Sequence, residues 1–188
     1  MKLDPFSSVA VGTVDPGPSA SEEPLASDLP SEEVPSDVAA APELEALLPA
    51  TLDGTPLTVS SLVGTDLFGD AQGSRAIIAA LRAAGKTPAD LKYADAYDES
   101  GALDISMFAV AVDGLSDAKT KALVLDSWLT ASGAGVTQTP VTLGGKDVTK
   151  IDYGADGAKD YVISGDGATI VITTADEDIA TAAITALP

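Results

Sequence analysis

Ser116 and Lys119 stand three residues apart in "LSDAK", at the start of a helical pattern. At that spacing a lysine lies one turn on and can take the proton of a nucleophilic serine. The chemistry also needs Ser-Asp-Asn and Lys-Thr-Gly elements. This chain has no Asn, and Lys119-Thr120 runs on to Lys121 instead of Gly. Ser116 as a plain helix N-cap is the stronger reading.

Two carboxylate groups come next: Asp95, Asp98 and Glu99 in "DAYDES", and Asp152, Asp156 and Asp160 in "DYGADGAKD". A calcium loop supplies oxygens at alternating positions and closes on a Glu at the twelfth, and neither stretch has that spacing. A pair of such groups could act as general acid and base on a glycoside. That role needs an apolar pocket to raise one pKa, and beside turns the residues read as solvated turn formers.

Tyr93, Asp95 and Tyr97 alternate with Ala94 and Ala96 in "KYADAY". In a strand, residues two apart share a face. With the Ala face turned inward, Tyr93, Asp95 and Tyr97 form an exposed aromatic-acidic stripe, a composition enriched at binding surfaces. With the Tyr face inward, the rings cover the sheet and the stripe is core. The area that a Tyr buries favours the second arrangement. These three are nevertheless the candidate binding residues. "GDAQGS", 69–74, leads into a helix start of the kind that holds phosphate, but it lacks a Lys, and Asp70 would repel an anion.

Composition removes much else. The chain of 188 residues has no Cys, His or Asn and a formal charge of −19. Disulfides, thiolate chemistry, histidine bases and N-glycosylation are therefore excluded, and neither a cofactor nor a metal centre is expected. Such acidity repels nucleic acid and anionic membrane surfaces. No apolar run approaches the roughly 18 residues of a membrane span, so membrane insertion is not expected. A protein or small-molecule partner is the open class, with cationic chemistry favoured by the charge. The acidity also suits a surface kept soluble in high salt.

The elements that must position these residues are legible as patterns. Met1–Pro42 carries eight acidic residues against one Lys, is rich in Pro and Ser, and has few large apolar residues. It reads as a disordered acidic leader or stalk, since it cannot bury enough surface to offset its ordering entropy. A short helix should start at Pro42 and stop before Pro49. "SRAIIAALRAAGK" predicts a helix capped at Ser74 and ended by Gly85. "SDAKTKALVLDSWLTASG" predicts the longest, with Ala118, Ala122, Leu125 and Leu129 inward, Trp128 beside them and Gly133 as its stop. "TADEDIATAAITALP" predicts the last, with a Thr174–Glu177 capping box and Ile179, Ala183 and Leu187 inward. Hairpins are expected at Asp53-Gly54, Ser100-Gly101, Gly144-Gly145 and Gly165-Asp166-Gly167.

"TLDGTPLT" at 51–58 and "TLGGKDVT" at 142–149 share four identical positions and a Leu/Val exchange. The expectation is α+β: a mostly antiparallel sheet of hairpins, three helices on one face, and a domain over 43–188. Its halves, 50–133 and 136–188, are candidates for a tandem ββ(α)ββα pseudo-repeat.

The leader, "ELEALLPATLDGTPLT", "GKTPADLKYADAYD", "GGKDVTKIDYG" and the closing "ALP" together resemble uncharacterised exported bacterial proteins, often lipoproteins, in which a low-complexity stalk carries a small α+β domain. The chain departs from them in showing no export signal and no lipid-accepting Cys. The resemblance implies a cell-surface or otherwise extracytoplasmic location, with the cytoplasm as the alternative, and transfers no site. The functional expectation is a non-enzymatic binding or interaction domain on an acidic stalk. The alternative is a hydrolase using a carboxylate pair or the Ser-Lys pair.

Overall fold

The computed structural model describes residues 40–68, 74–132, 135–154 and 157–188, with the backbone alone at 65, 66 and 128–132. The leader expectation, the loop over 69–73, Asp156, Gly133 and the side chains of Trp128 and Leu129 lie outside what is described.

The chain is α+β. In order come α1 (Pro42–Glu45), β1 (Thr51–Leu52), β2 (Thr55–Pro56), β3 (Thr58–Val63), α2 (Gly64–Leu67), α3 (Ser74–Ala83), a 3-10 turn (Pro88–Asp90), β4 (Leu91–Tyr97), β5 (Ser106–Val112), α4 (Asp117–Ser132), β6 (Thr137–Leu143), β7 (Lys146–Asp152), β8 (Lys159–Gly165), β9 (Ala168–Thr174) and α5 (Glu177–Ala186). Seven strands form one sheet in the order β3-β4-β5-β9-β8-β7-β6, and β1 and β2 form a separate hairpin. Every described pairing in the large sheet is antiparallel. Two meanders meet at a central seam, where β5 pairs β9 with Phe108 opposite Val171.

Alternation along the central strands sends apolar residues to both faces. Met107, Ala109, Ile170 and Ile172 face one way and join Ala180, Ala183 and Ile184 of α5 and Leu44 of α1. Phe108, Val110 and Val171 face the other way and join Leu81 of α3 and Leu123 and Val124 of α4. This corrects the expected placement of three helices on one face: α3 and α4 cover one side, α1 and α5 the other. The physical sign is the unbroken apolar run "MFAVAV", which suits a strand buried on both faces.

The helix details are corrected in the same way. Among the described side chains of α4, Thr120, Leu123, Val124 and Ser127 are buried, while Ala118 and Ala122 are exposed and Leu125 is half-buried. Apolar residues surround this helix, so its pattern does not select a face. The inward Ser127 hydroxyl donates to the Leu123 carbonyl at 2.7 Å, which removes most of the cost of burying it. In α5 the N-cap is Asp176, whose carboxylate accepts from the amides of Asp178 and Ile179. Thr174 remains the last residue of β9, its hydroxyl accepting from the Asp176 amide at 3.2 Å, and no Thr174–Glu177 box forms. Ser74 is the first helical residue of α3. At the other end, Gly85 has φ 72°, and the Lys86 amide reaches back to the Leu81 carbonyl at 2.8 Å. That is a Schellman ending, made by a residue free to adopt positive φ.

The two octets make the same turn. Asp53 and Gly54 have φ of 48° and 83°, and Gly144 and Gly145 have 55° and 78°, both close to a type I′ turn. Their settings differ: the first hairpin stands outside the large sheet and the second forms its β6–β7 border. The strand order mirrors about the β5–β9 seam, but α4 and α5, which follow the two seam strands, lie on opposite faces. A two-fold through the seam would keep both on one face, so it relates the strands and not the whole halves.

Candidate functional site

Helices α3 and α4 leave the β3–β4 end of their sheet face open. Three rows of side chains cross it, set by the register: Leu62–Tyr93–Val110, Ser60–Asp95–Phe108 and Thr58–Tyr97–Ser106. Ala94 and Ala96 are 0% exposed on the opposite face, where α1 packs on β4. The small residues turn inward because helices cover that side closely. The expected outward Ala face is thus corrected, while Tyr93 packs against the core on its own side and Asp95 and Tyr97 follow it along the β3–β4 end of that face.

Their environments differ. Tyr93 is half-buried and stacks on Phe108, with ring centroids 5.7 Å apart. Burial, with a smaller contribution from the Asp95 charge, pushes its hydroxyl up to about 12. Asp95 accepts from the Ser60 hydroxyl at 2.6 Å, a bond that ties β4 to β3. Tyr97 is 39% exposed and Leu62, beyond the Ser60–Asp95 row on the same face, is 40% exposed. The Tyr97 hydroxyl donates to Glu99 at 3.4 Å.

The remaining candidates do not join them. Asp98 organises the loop between β4 and β5. One of its oxygens accepts from the Ser100 amide at 2.8 Å and the other from the Leu103 amide at 2.7 Å. The Ser100 hydroxyl bond and these amides hold its carboxyl below the usual range. Ser100-Gly101 thus lies within a longer loop and does not form a two-residue turn. Asp152 accepts from the Gly154 amide. Asp160 is 3% exposed, and its carboxylate accepts from the hydroxyls of Tyr153 and Thr173, the latter at 2.7 Å. Ser116 and Lys119 are both exposed at the start of α4, where the Ser116 carbonyl accepts from the Lys119 amide.

Among the described residues, recesses lie away from this face. Lys121 of α4 borders a recess of ≈ 490 Å³ with Pro140, Thr142 and Asp147. Burial there lowers its ammonium pKa, and Asp147 opposes the shift. Among the described residues no group of three or more acidic side chains is placed to hold a metal ion. No described helix is long and apolar enough to cross a membrane.

Sequence reasoning missed Leu62, Ser60 and Phe108 as neighbours of the stripe. The available signal was the alternation Thr58, Ser60, Leu62 in a strand without charge or proline. No family model matches the chain, and no curated protein or solved structure matches it.

Proposed function

We propose that the chain is a non-enzymatic interaction domain that binds a partner through the open β3–β4–β5 face. The observation that carries this reading is the position of Leu62 and Tyr97. They are the exposed large hydrophobic side chains among the described residues, and both belong to this face. Exposed aromatic and aliphatic groups clustered beside polar ones mark interaction surfaces. The neighbouring carboxylates are engaged in structure: Asp95 on Ser60, Asp98 on its loop, Asp160 between two hydroxyls. We further propose that the domain works outside the cytoplasm, carried behind its acidic leader, a location that fractionation of the native host would test.

Peptides selected on the full chain from a displayed library test the binding reading. The double variant Leu62→Ser, Tyr97→Ser should weaken them at least tenfold while the chain still unfolds cooperatively at a lowered midpoint, since both side chains are about two-fifths exposed. Selected peptides that bind the variant equally well would overturn the reading. So would hydrolysis of ester or glycoside substrates that disappears in Asp160→Asn or Lys119→Ala.

A further inference from the structure

We infer that β3 accepts an extended basic polypeptide as an eighth strand, with an Arg or Lys side chain of the added strand lying over Ser60 against Asp95. This rests on the open-face reading above and names the partner's chemistry. Three observations converge on it.

The first is the edge. Strand β3 ends the sheet, and among the described residues no strand pairs with its outer side. Its sequence, TVSSLV, contains no proline and no charge. The other edge, β6, carries Pro140 in mid-strand. Proline and charge are how sheets protect an edge from strand addition, and β3 has neither. An added strand gains a full row of backbone hydrogen bonds, with side-chain pockets supplying selectivity.

The second is a polar row across the strands. Ser60 and Asp95 lie in register with Phe108, between the row of Leu62 and Tyr93 on one side and the row of Thr58 and Tyr97 on the other. Ser60 is small and lies between the edge and the carboxylate. Strands are spaced about 4.8 Å apart, so an added strand lies about 10 Å from β4. An Arg or Lys laid flat over Ser60 spans that gap together with the Asp95 side chain. Ser60 engages Oδ1 of Asp95. Tyr93 and Tyr97 flank Asp95 two residues to either side on the same strand, and aromatic rings beside a cation attract it.

The third is sign. The chain carries a formal charge of −19, and Glu99 stands beside Tyr97, accepting from its hydroxyl. A second copy of the chain is repelled, and a basic segment is drawn in and oriented.

The test uses the full chain and three capped octapeptides: alternating Arg and Val, alternating Glu and Val, and alternating Arg and Pro. Calorimetry gives affinity, and amide hydrogen exchange reports on residues 58–63. The Arg-Val peptide should bind, slow exchange in β3 and weaken steeply with added salt. The Arg-Pro peptide, which cannot donate a full ladder, should bind at least tenfold less tightly. Asp95→Asn should weaken the Arg-Val peptide at least fivefold. Ser60→Lys, at an exposed site, should abolish its binding without unfolding the chain. Equal binding of the Glu-Val peptide, protection confined to other strands, or self-association that protects β3 without peptide would each overturn the inference. If library-selected ligands require Leu62 and Tyr97 yet are not basic, or leave β3 unprotected, the interaction face stands and the strand-addition inference falls.

Discussion

Burial against Phe108 and the charge of Asp95 both disfavour ionisation of the Tyr93 hydroxyl. The consequence for stability follows from linkage. The folded chain keeps the Tyr93 proton up to about 12, whereas the unfolded chain releases it near the ordinary value of about 10. Between those values the folded state binds more protons, so stability is fully present below pH 10 and falls as pH rises towards 12. The loss should reach about 2 kcal/mol, reduced from the full two-unit value because the ring is partly solvated. Burial also raises the Tyr161 hydroxyl, which adds a decline of the same sign. Chemical denaturation at pH 9 and pH 11.5 should therefore show a smaller loss in Tyr93→Phe than in the parent chain. An equal loss would mean that Tyr93 ionises freely. Tyr93 on a strand could be read from alternation. Its stacking on Phe108 could not, because it depends on the register of two strands joined by an eight-residue loop.

The two type I′ turns show how an element's surroundings select its residues. Asp53 and Gly144 occupy equivalent turn positions with φ of 48° and 55°. An Asp is tolerated at the first because that hairpin stands apart from the large sheet. At the second, a Cβ would come 2.7 Å from the Thr185 hydroxyl and 3.0 Å from Ile184, both on α5. Gly144→Asp should therefore destabilise by more than the roughly 1–2 kcal/mol of left-handed strain alone. Asp53→Gly should change stability by only a few tenths of a kcal/mol. Urea midpoints check the contrast, and equal effects would mean that α5 gives way at the contact. Turn positions were thus legible from Asp-Gly and Gly-Gly, and so were the strands and long helices that they separate. The facing of the helices was not. Ala118 and Ala122 looked inward by spacing, but an Ala-rich helix gains little from burying one side over another, and tertiary contacts decided for Leu123 and Val124. The alternation of the stripe was legible, but the inward turn of Ala94 and Ala96 was not, because it depends on how α1 packs on that side of β4.

At the scale of the molecule, the sheet is closed by its last strand. Strand β9 lies between β5 and β8 at the centre, although it precedes only α5 in the chain. Helix α5 in turn touches both β1 and β6, so the two hairpins flank one helix. Its last carbonyls are met by the Lys146 ammonium, which donates to Leu187 at 3.0 Å. A chain ending at Gly165 removes the central strand and the helix together. It should lose the cooperative unfolding transition entirely, as seen by circular dichroism in a denaturant titration. A sharp transition in that truncation would show that one meander folds alone. The seam has a further consequence during synthesis. When residue 165 has left the ribosome, the edge of β5 that pairs with β9 has no partner, although α4 has been made and can cover the Phe108 face. Until 168–174 emerge, the nascent molecule carries a long apolar edge with no partner. The interval between making β5 and making β9 is therefore when this protein is most exposed to misassembly, and when a ribosome-associated chaperone would have the most to cover.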